Sequence, residues 1–217
     1  MAGLLSRKRD YAKAAVEFHK AEEVYTKSGN QEGLCDLWLG RALTLRTQTR
    51  EQDRADLERV MAVSAKTGNQ YHNLAARLRM VTVYERERDY QRAIEMATEV
   101  AAEAQRDGML VMEARATAEI GYAYAYLKKF EEAVPILRRS VEMAERAKSY
   151  GLLASNRLKL GEALAALNRS EEAVQLLEPA MQWYRQAGVD TIVPLMLIKW
   201  APLCRAPLEL RTPRRRL

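Results

Sequence analysis

Three sets of side chains in this 217-residue sequence are of types that do chemistry. Glu131 with Glu132, and Glu171 with Glu172, are adjacent carboxylates such as general acid–base catalysis uses. His19, His72, Cys35 and Cys204 offer imidazoles and thiols for metal binding or nucleophilic attack. Arg205, Arg211, Arg214, Arg215 and Arg216 could hold phosphates. Spacing removes most of these options. No His-x-x-x-His or Cys-x-x-Cys pair occurs, so neither a metal site nor a disulfide framework is expected, and the two cysteines should be free thiols. A Gly-rich phosphate loop and a G-x-S-x-G elbow are both missing from the sequence. The expectation is a protein that is not an enzyme and takes no cofactor.

The paired glutamates have another explanation, which depends on the elements that hold them. Composition is 48% apolar with only 10 Gly and 6 Pro, a balance that favours helices over strands and turns. Gly29, Gly68, Gly108, Gly151 and Gly188 are spaced by 39, 40, 43 and 37 residues. Each is expected just past a helix end, where left-handed backbone suits a residue without Cβ. A second set of turns lies between them, before KRDYAKAAVEF (8–18), RERDYQRAIEM (86–96), KKFEEAVPIL (128–137) and NRSEEAVQLL (168–177). In three of these an aromatic residue, Tyr11, Tyr90 or Phe130, is followed three residues on by Ala14, Ala93 or Ala133. The fourth has Ser170 and Ala173. A small side chain lets two antiparallel helices approach, and the aromatic fills the bend. Asp10, Asp89 and Ser170 are then expected N-caps, and the paired glutamates fall in first helical turns, where the helix dipole favours acids. Pro135 lies near a helix start, whereas Pro179 lies deeper and is expected to kink its helix. Met61, Met80, Met96, Met109, Met112, Met143, Met181 and Met196 recur at helical spacing and are expected to fill the core.

The best unit joins Ile120, Gly121 and Tyr124 to Ala133 and Leu137; the next joins Leu160, Gly161 and Leu164 to Ala173 and Leu177. Weaker copies are Met80, Val81, Tyr84, Ala93 and Ala97, and then Leu5, Ala14 and Phe18. The unit around Gly40 and Leu57 is the poorest, because Asp53 or Arg54 falls where the small residue belongs. This pattern resembles the tetratricopeptide repeat, in a variant of about 40 residues like those of signalling scaffolds and of sensor regions in large bacterial regulators. The resemblance covers about residues 2–190. It implies an all-α fold, a right-handed superhelical α-solenoid of about five stacked antiparallel helix hairpins. The array is expected over 1–203, in units near 1–29, 30–68, 69–108, 109–150 and 151–189 with a partial unit at 190–203. A basic tail rich in Pro and Arg, 204–217, is expected to be disordered.

In the family, first helices line a concave groove. Carried over to this chain, the groove positions are Leu78, Thr82, Glu85 and Arg86, then Arg115, Ala118, Tyr122 and Tyr126, then Ser155, Leu158, Lys159 and Glu162. Tyr122 and Tyr126 lie one helical turn apart with Arg115 above them, an expected anchor for a partner helix or extended peptide. The family's carboxylate clamp of Lys, Arg and Asn is not reproduced by Arg115 and Lys159. The resemblance thus implies a protein-interaction scaffold, a fragment or module of a larger bacterial signalling or regulatory protein. Two other readings stay open. One is nucleic-acid association through the tail, whose five Arg and one Glu carry +4 of the net +6, although no aromatics interleave them. The other is a homo-oligomer through uncapped ends, since Ala2 aligns with Gly121 in mid-helix and 191–203 reads as the first helix of a further repeat. Too few apolar residues precede Arg7, Lys8 and Arg9 for a signal peptide, and the apolar window 191–204 is short and interrupted by Pro194 and Pro202. A cytoplasmic protein without a membrane span is expected.

Overall fold

The computed structural model describes residues 11–42 and 49–188. Among them are nine α-helices and no strand: α1 (Tyr11–Ser28), α2 (Gln31–Arg41), α3 (Arg50–Thr67), α4 (Gln70–Arg86), α5 (Tyr90–Arg106), α6 (Leu110–Tyr126), α7 (Phe130–Arg146), α8 (Tyr150–Ala166) and α9 (Ser170–Gln186). The expected half-helix before Asp10, the partial unit 190–203 and the tail 204–217 lie outside the described residues. The chain divides into two compact units, Met1–Asp107 and Gly108–Leu217. In each unit consecutive helices pack on one another, and alternate helices also touch: α2 with α4 in the first, α6 with α8 in the second. That pairing is the stacked-hairpin order of an all-α repeat solenoid.

Amphipathic spacing directs each helix inward. α5 buries Ala93, Ala97, Val100 and Ala104, and α7 buries Ala133, Leu137, Ser140 and Ala144 with Val134 and Met143 beside them, in both cases a series at steps of three and four residues that keeps one face on the core. Of the eight methionines expected in the core, Met80, Met112, Met143 and Met181 are buried, Met61 and Met96 are half-buried against it, Met109 is half-buried, and Met196 lies outside the described residues. The hairpins close where small residues meet bulky ones. A Cβ built on Gly121 would lie 2.7 Å from Leu137 Cγ, and one on Gly161 the same distance from Leu177 Cγ, so neither position tolerates a side chain without movement.

The turns between helices use two chemistries. Gly29, Gly68, Gly108 and Gly188 have φ between 66° and 69°, as the spacing predicts. Gly151 does not. It is the second residue of α8, and Lys148, at φ 50°, takes the left-handed position instead. What Gly151 provides is room, since a Cβ there would meet Trp183 Cη2 at 3.2 Å. Arg88, Lys128 and Asn168 are left-handed in the other turns. Each such turn returns a backbone N–H to the last helical turn, Asp89 to Tyr84, Lys129 to Tyr124, Ser149 to Ala144 and Arg169 to Leu164, which satisfies a carbonyl the helix end leaves over. Asp89 caps α5 as expected, accepting from the Arg92 amide. Ser170 does not cap α9: Arg169 holds that position and Ser170 is already helical, so Glu171 and Glu172 meet the dipole of the first turn. α9 continues as helix past Pro179.

The irregular unit of the sequence is a regular helix in the structure. α3 begins with a reciprocal capping box, in which Thr49 accepts from the Gln52 amide and Gln52 from the Thr49 amide. Asp53 fills the small-residue slot and is buried, with Arg86 Nη1 3.5 Å from its carboxylate. One turn on, buried Asp56 accepts from Arg41 Nη2 at 2.7 Å and Nε at 2.8 Å, while Arg41 Nη1 reaches Glu22 at 2.6 Å and Trp38 Nε1 donates to Glu22 at 2.7 Å. This network joins α1, α2 and α3. Burial pushes the Glu22 carboxyl up, but the hydrogen bonds from Arg41 and Trp38 and the charges of Arg41 and Arg59 outweigh it and hold Glu22 below its ordinary value of 4.5.

Candidate functional site

α6 is crowded on most sides. Met112, Glu113, Ala114, Ala116, Thr117, Ala118, Gly121 and Ala123 are buried, which leaves Val111, Arg115, Glu119, Tyr122 and Tyr126 as a strip at steps of three or four residues. α8 lies alongside and presents Gly151, Leu152, Ser155, Asn156 and Lys159. Between the two helices is a cleft of roughly 490 Å³, lined by Val111, Arg115 and Glu119 from α6 and by Ser149 with those five residues from α8. It falls within the size range of small ligand pockets.

Its floor is charged but internally matched. Lys159 Nζ donates to Glu119 Oε2 at 2.6 Å and sits 4.5 Å from the Tyr122 ring centroid, an ion pair and a cation–π contact made by one ammonium group. Tyr122 meets Tyr126 edge to face, with ring centroids 4.7 Å apart and hydroxyls 3.4 Å apart. Tyr126 remains 49% exposed, whereas Tyr122 is half-buried beneath Lys159. Arg115 is exposed and forms no ion pair or hydrogen bond among the described residues. Asn156 is 1% exposed; its Nδ2 donates to the Ser140 carbonyl at 3.2 Å, and its Oδ1 has no donor among the described residues. Burial pushes the Tyr184 hydroxyl above its ordinary value of 10.0, opposed by a hydrogen bond with Ser155.

Of the twelve groove positions named from the sequence, the cleft gathers Arg115, Ser155 and Lys159, and Lys159 links it to Tyr122 and Tyr126. Ala118 and Leu78 are buried at 1% and 8% exposure, so they offer little contact area. Leu158 packs against the core of the second unit. Glu162 is half-buried on α8. In the first unit Thr82 and Glu85 are half-buried on α4, and exposed Arg86 reaches toward Asp53. Glu119, Asn156, Val111 and Leu152 join the cleft without having been singled out in the sequence. One signal pointed to Glu119: it and Lys159 carry opposite charges at the same register of adjacent repeats, 40 residues apart.

The other chemically capable side chains are dispersed. His72 is buried with Nε2 3.0 Å from exposed Asp36, His19 lies 3.3 Å from Glu23, and Cys35 is a buried free thiol. Glu172 accepts hydrogen bonds from Arg138 and Arg169, which accounts for one of the paired glutamates as an ion-pair partner. No group of His, Cys, Asp and Glu among the described residues could hold a metal ion, and no described helix is long and apolar enough to cross a membrane.

Comparison with known proteins agrees with this geometry. Residues 113–186 match the sequence profile of a tetratricopeptide repeat family. No curated protein matches the chain. Among solved structures, the nearly identical TPR-like repeats of a Podosopora anserina kinesin light chain share the fold with a TM-score of 0.57 at 19% identity, over 82% of this chain and 89% of that one. BtubC (BKLC) from P. vanneervenii gives a TM-score of 0.64 at 14% identity, over 97% of this chain and 95% of that one. At such identities the likeness is one of fold.

Proposed function

We propose that this chain, whose residues 113–186 match a tetratricopeptide repeat profile, is a non-catalytic interaction module that holds a segment of a partner protein in the α6–α8 cleft. The observation that carries this reading is the outward strip of α6. Arg115 and Tyr126 are large and exposed on α6, and Arg115 lines a cleft that also holds the apolar Val111 and Leu152 and the paired Glu119 and Lys159. Aromatic and arginine side chains placed in this way are the usual anchors of protein interfaces. The repeat length, near 40 residues, supports a place within a larger cytoplasmic signalling or regulatory protein of bacterial type, with the repeat boundaries named above.

A selection from a displayed random-peptide library tests this. Wild-type protein should enrich a peptide family, and Tyr122→Ala combined with Tyr126→Ala should lose it while keeping the wild-type helical circular dichroism. Enrichment undiminished in the double variant, or no enrichment by the wild type, would refute the assignment of the cleft.

A further inference from the structure

α8 borders a second cavity on another of its faces. Leu152, Ser155, Asn156 and Lys159 line the cleft shared with α6, whereas Tyr150, Leu153, Ala154 and Arg157 meet α9 in a cavity of roughly 260 Å³. α9 contributes Pro179, Gln182, Trp183 and Gln186 at the same steps of three and four residues, so one stripe of each helix builds the site. Buried Leu153 and Ala154 supply apolar surface. Trp183 is half-buried and packed on the core of the unit, and its ring passes Gly151 so closely that a Cβ there would stand 3.2 Å from Cη2. That ring is a fixed wall. Tyr150, by contrast, is 64% exposed.

Arg157 is the anomaly. Its side chain is only 26% exposed, yet its ion-pair partner, the exposed Glu145, lies 3.5 Å away, and the guanidinium donates no hydrogen bond among the described residues. Arg41, Arg77 and Lys159, also largely buried and ion-paired, each donate a hydrogen bond of 2.6 or 2.7 Å. A guanidinium withdrawn from water has five N–H donors to satisfy, and a carboxylate accepts two of them at once. An inorganic anion would meet Arg157 but leave the rings unused, and a neutral hydrocarbon ring would do the reverse. A ring that bears a carboxylate answers both. The cavity is smaller than the ~300 Å³ at which pockets for drug-sized ligands begin, which suits a single ring.

We propose that the cavity between α8 and α9 binds a small aromatic carboxylic acid, with its carboxylate on Arg157 and its ring against Trp183 and Tyr150. The site is distinct from the α6–α8 cleft and needs no protein partner.

Phenylacetate is the probe, followed in the full chain through the indole N–H signals of a two-dimensional NMR spectrum, with Trp183 assigned by its loss in Trp183→Phe. Phenylacetate should shift the Trp183 signal saturably and leave that of Trp38, in the first unit, in place. Phenylacetamide, which lacks the charge, should bind about tenfold more weakly. Cyclohexylacetate, which lacks the aromatic face, should bind about fivefold more weakly. Arg157→Gln should remove the preference for the acid over the amide. Glu145 is exposed and lies outside the cavity lining, so Glu145→Gln should fold as the wild type does and, with the competing carboxylate gone, tighten phenylacetate by about two- to fivefold. That arm decides the question even if Arg157→Gln loses its helical circular dichroism. An unmoved Trp183 signal, equal affinity for phenylacetate and either of its analogues, or unchanged or weaker binding to Glu145→Gln would overturn the proposal.

Discussion

Replacing Gly121 by alanine sets two effects of opposite sign against each other. In an exposed helix the change gains about 1 kcal/mol, because alanine loses less backbone freedom on folding. In α6 the new methyl would stand 2.7 Å from Leu137 Cγ and 2.9 Å from Cδ2, and Leu137 is fully buried. The nearer atom is the branch point of the side chain, so it cannot swing aside as a chain end would. Either Leu137 leaves its rotamer or α6 and α7 separate, and overpacking of this kind costs typically ~1–3 kcal/mol. With so short a contact the upper half of that range applies. The net effect is a destabilisation of about 1–2 kcal/mol. Leu137→Ala alone should cost ~2–5 kcal/mol, but in that background the clash is gone and Gly121→Ala should become neutral or stabilising by up to ~1 kcal/mol. The double-mutant cycle then shows a coupling of about 2 kcal/mol. Urea unfolding followed by circular dichroism measures it, with slopes compared among variants because stacked repeats can unfold in parts. A Gly121→Ala protein more stable than wild type, or effects that simply add, would refute the idea that the hairpin is set by this contact.

Two further predictions concern the first unit. Glu22 titrates below its ordinary 4.5 in the fold, so its contribution is complete above that pH and is lost as pH falls through the folded value; Glu22→Gln should flatten the decline of the urea midpoint in acid, and an unchanged decline would sink the assignment. Cys35 is buried, and that burial, with the nearby Asp36 and Glu32 charges, pushes its thiol pKa up. In a Cys204→Ser background a thiol reagent at mildly alkaline pH should therefore modify Cys35 only as fast as the protein opens, and rapid labelling without denaturant would contradict the packing.

The parts of the fold that were legible in the sequence are those whose physics is local or periodic. Gly121 with Leu137 and Gly161 with Leu177 recur because close helix approach admits few residue types at the contact. Gly151 was misleading because glycine serves two purposes, left-handed backbone and lack of bulk, and spacing alone cannot separate them. The structure assigns the first to Lys148 and the second to Gly151 beside Trp183. The Glu22–Arg41–Asp56 network was invisible, since its members lie 15 to 19 residues apart and follow no period. Asp53 likewise reads as a break in the repeat, although in the structure it is buried with Arg86 3.5 Å from its carboxylate. At the cleft, helical spacing found the strip of α6 but not its rotation. Which of Arg115, Ala118 and Glu119 faces outward depends on how α6 sits against α7 and α8, and that is a property of the packed hairpins.

Folding and recognition divide α6 between them. The residues that set helix spacing are small and buried, Ala114, Ala116, Ala118, Gly121 and Ala123. Those that could meet a partner, Arg115 and Tyr126, are exposed on the same helix, Tyr126 resting edge to face on Tyr122. Lys159 belongs to both groups. Its ion pair with Glu119 ties α8 to α6 and neutralises that acid, and its contact with Tyr122 holds that ring down. Most partly exposed ion pairs contribute little to stability, so the larger effect of this one is to fix the sign of the cleft. That is why Arg115, although exposed, can act there as a net positive charge: Glu119, the one acid among the described residues lining the cleft, is already paired with Lys159.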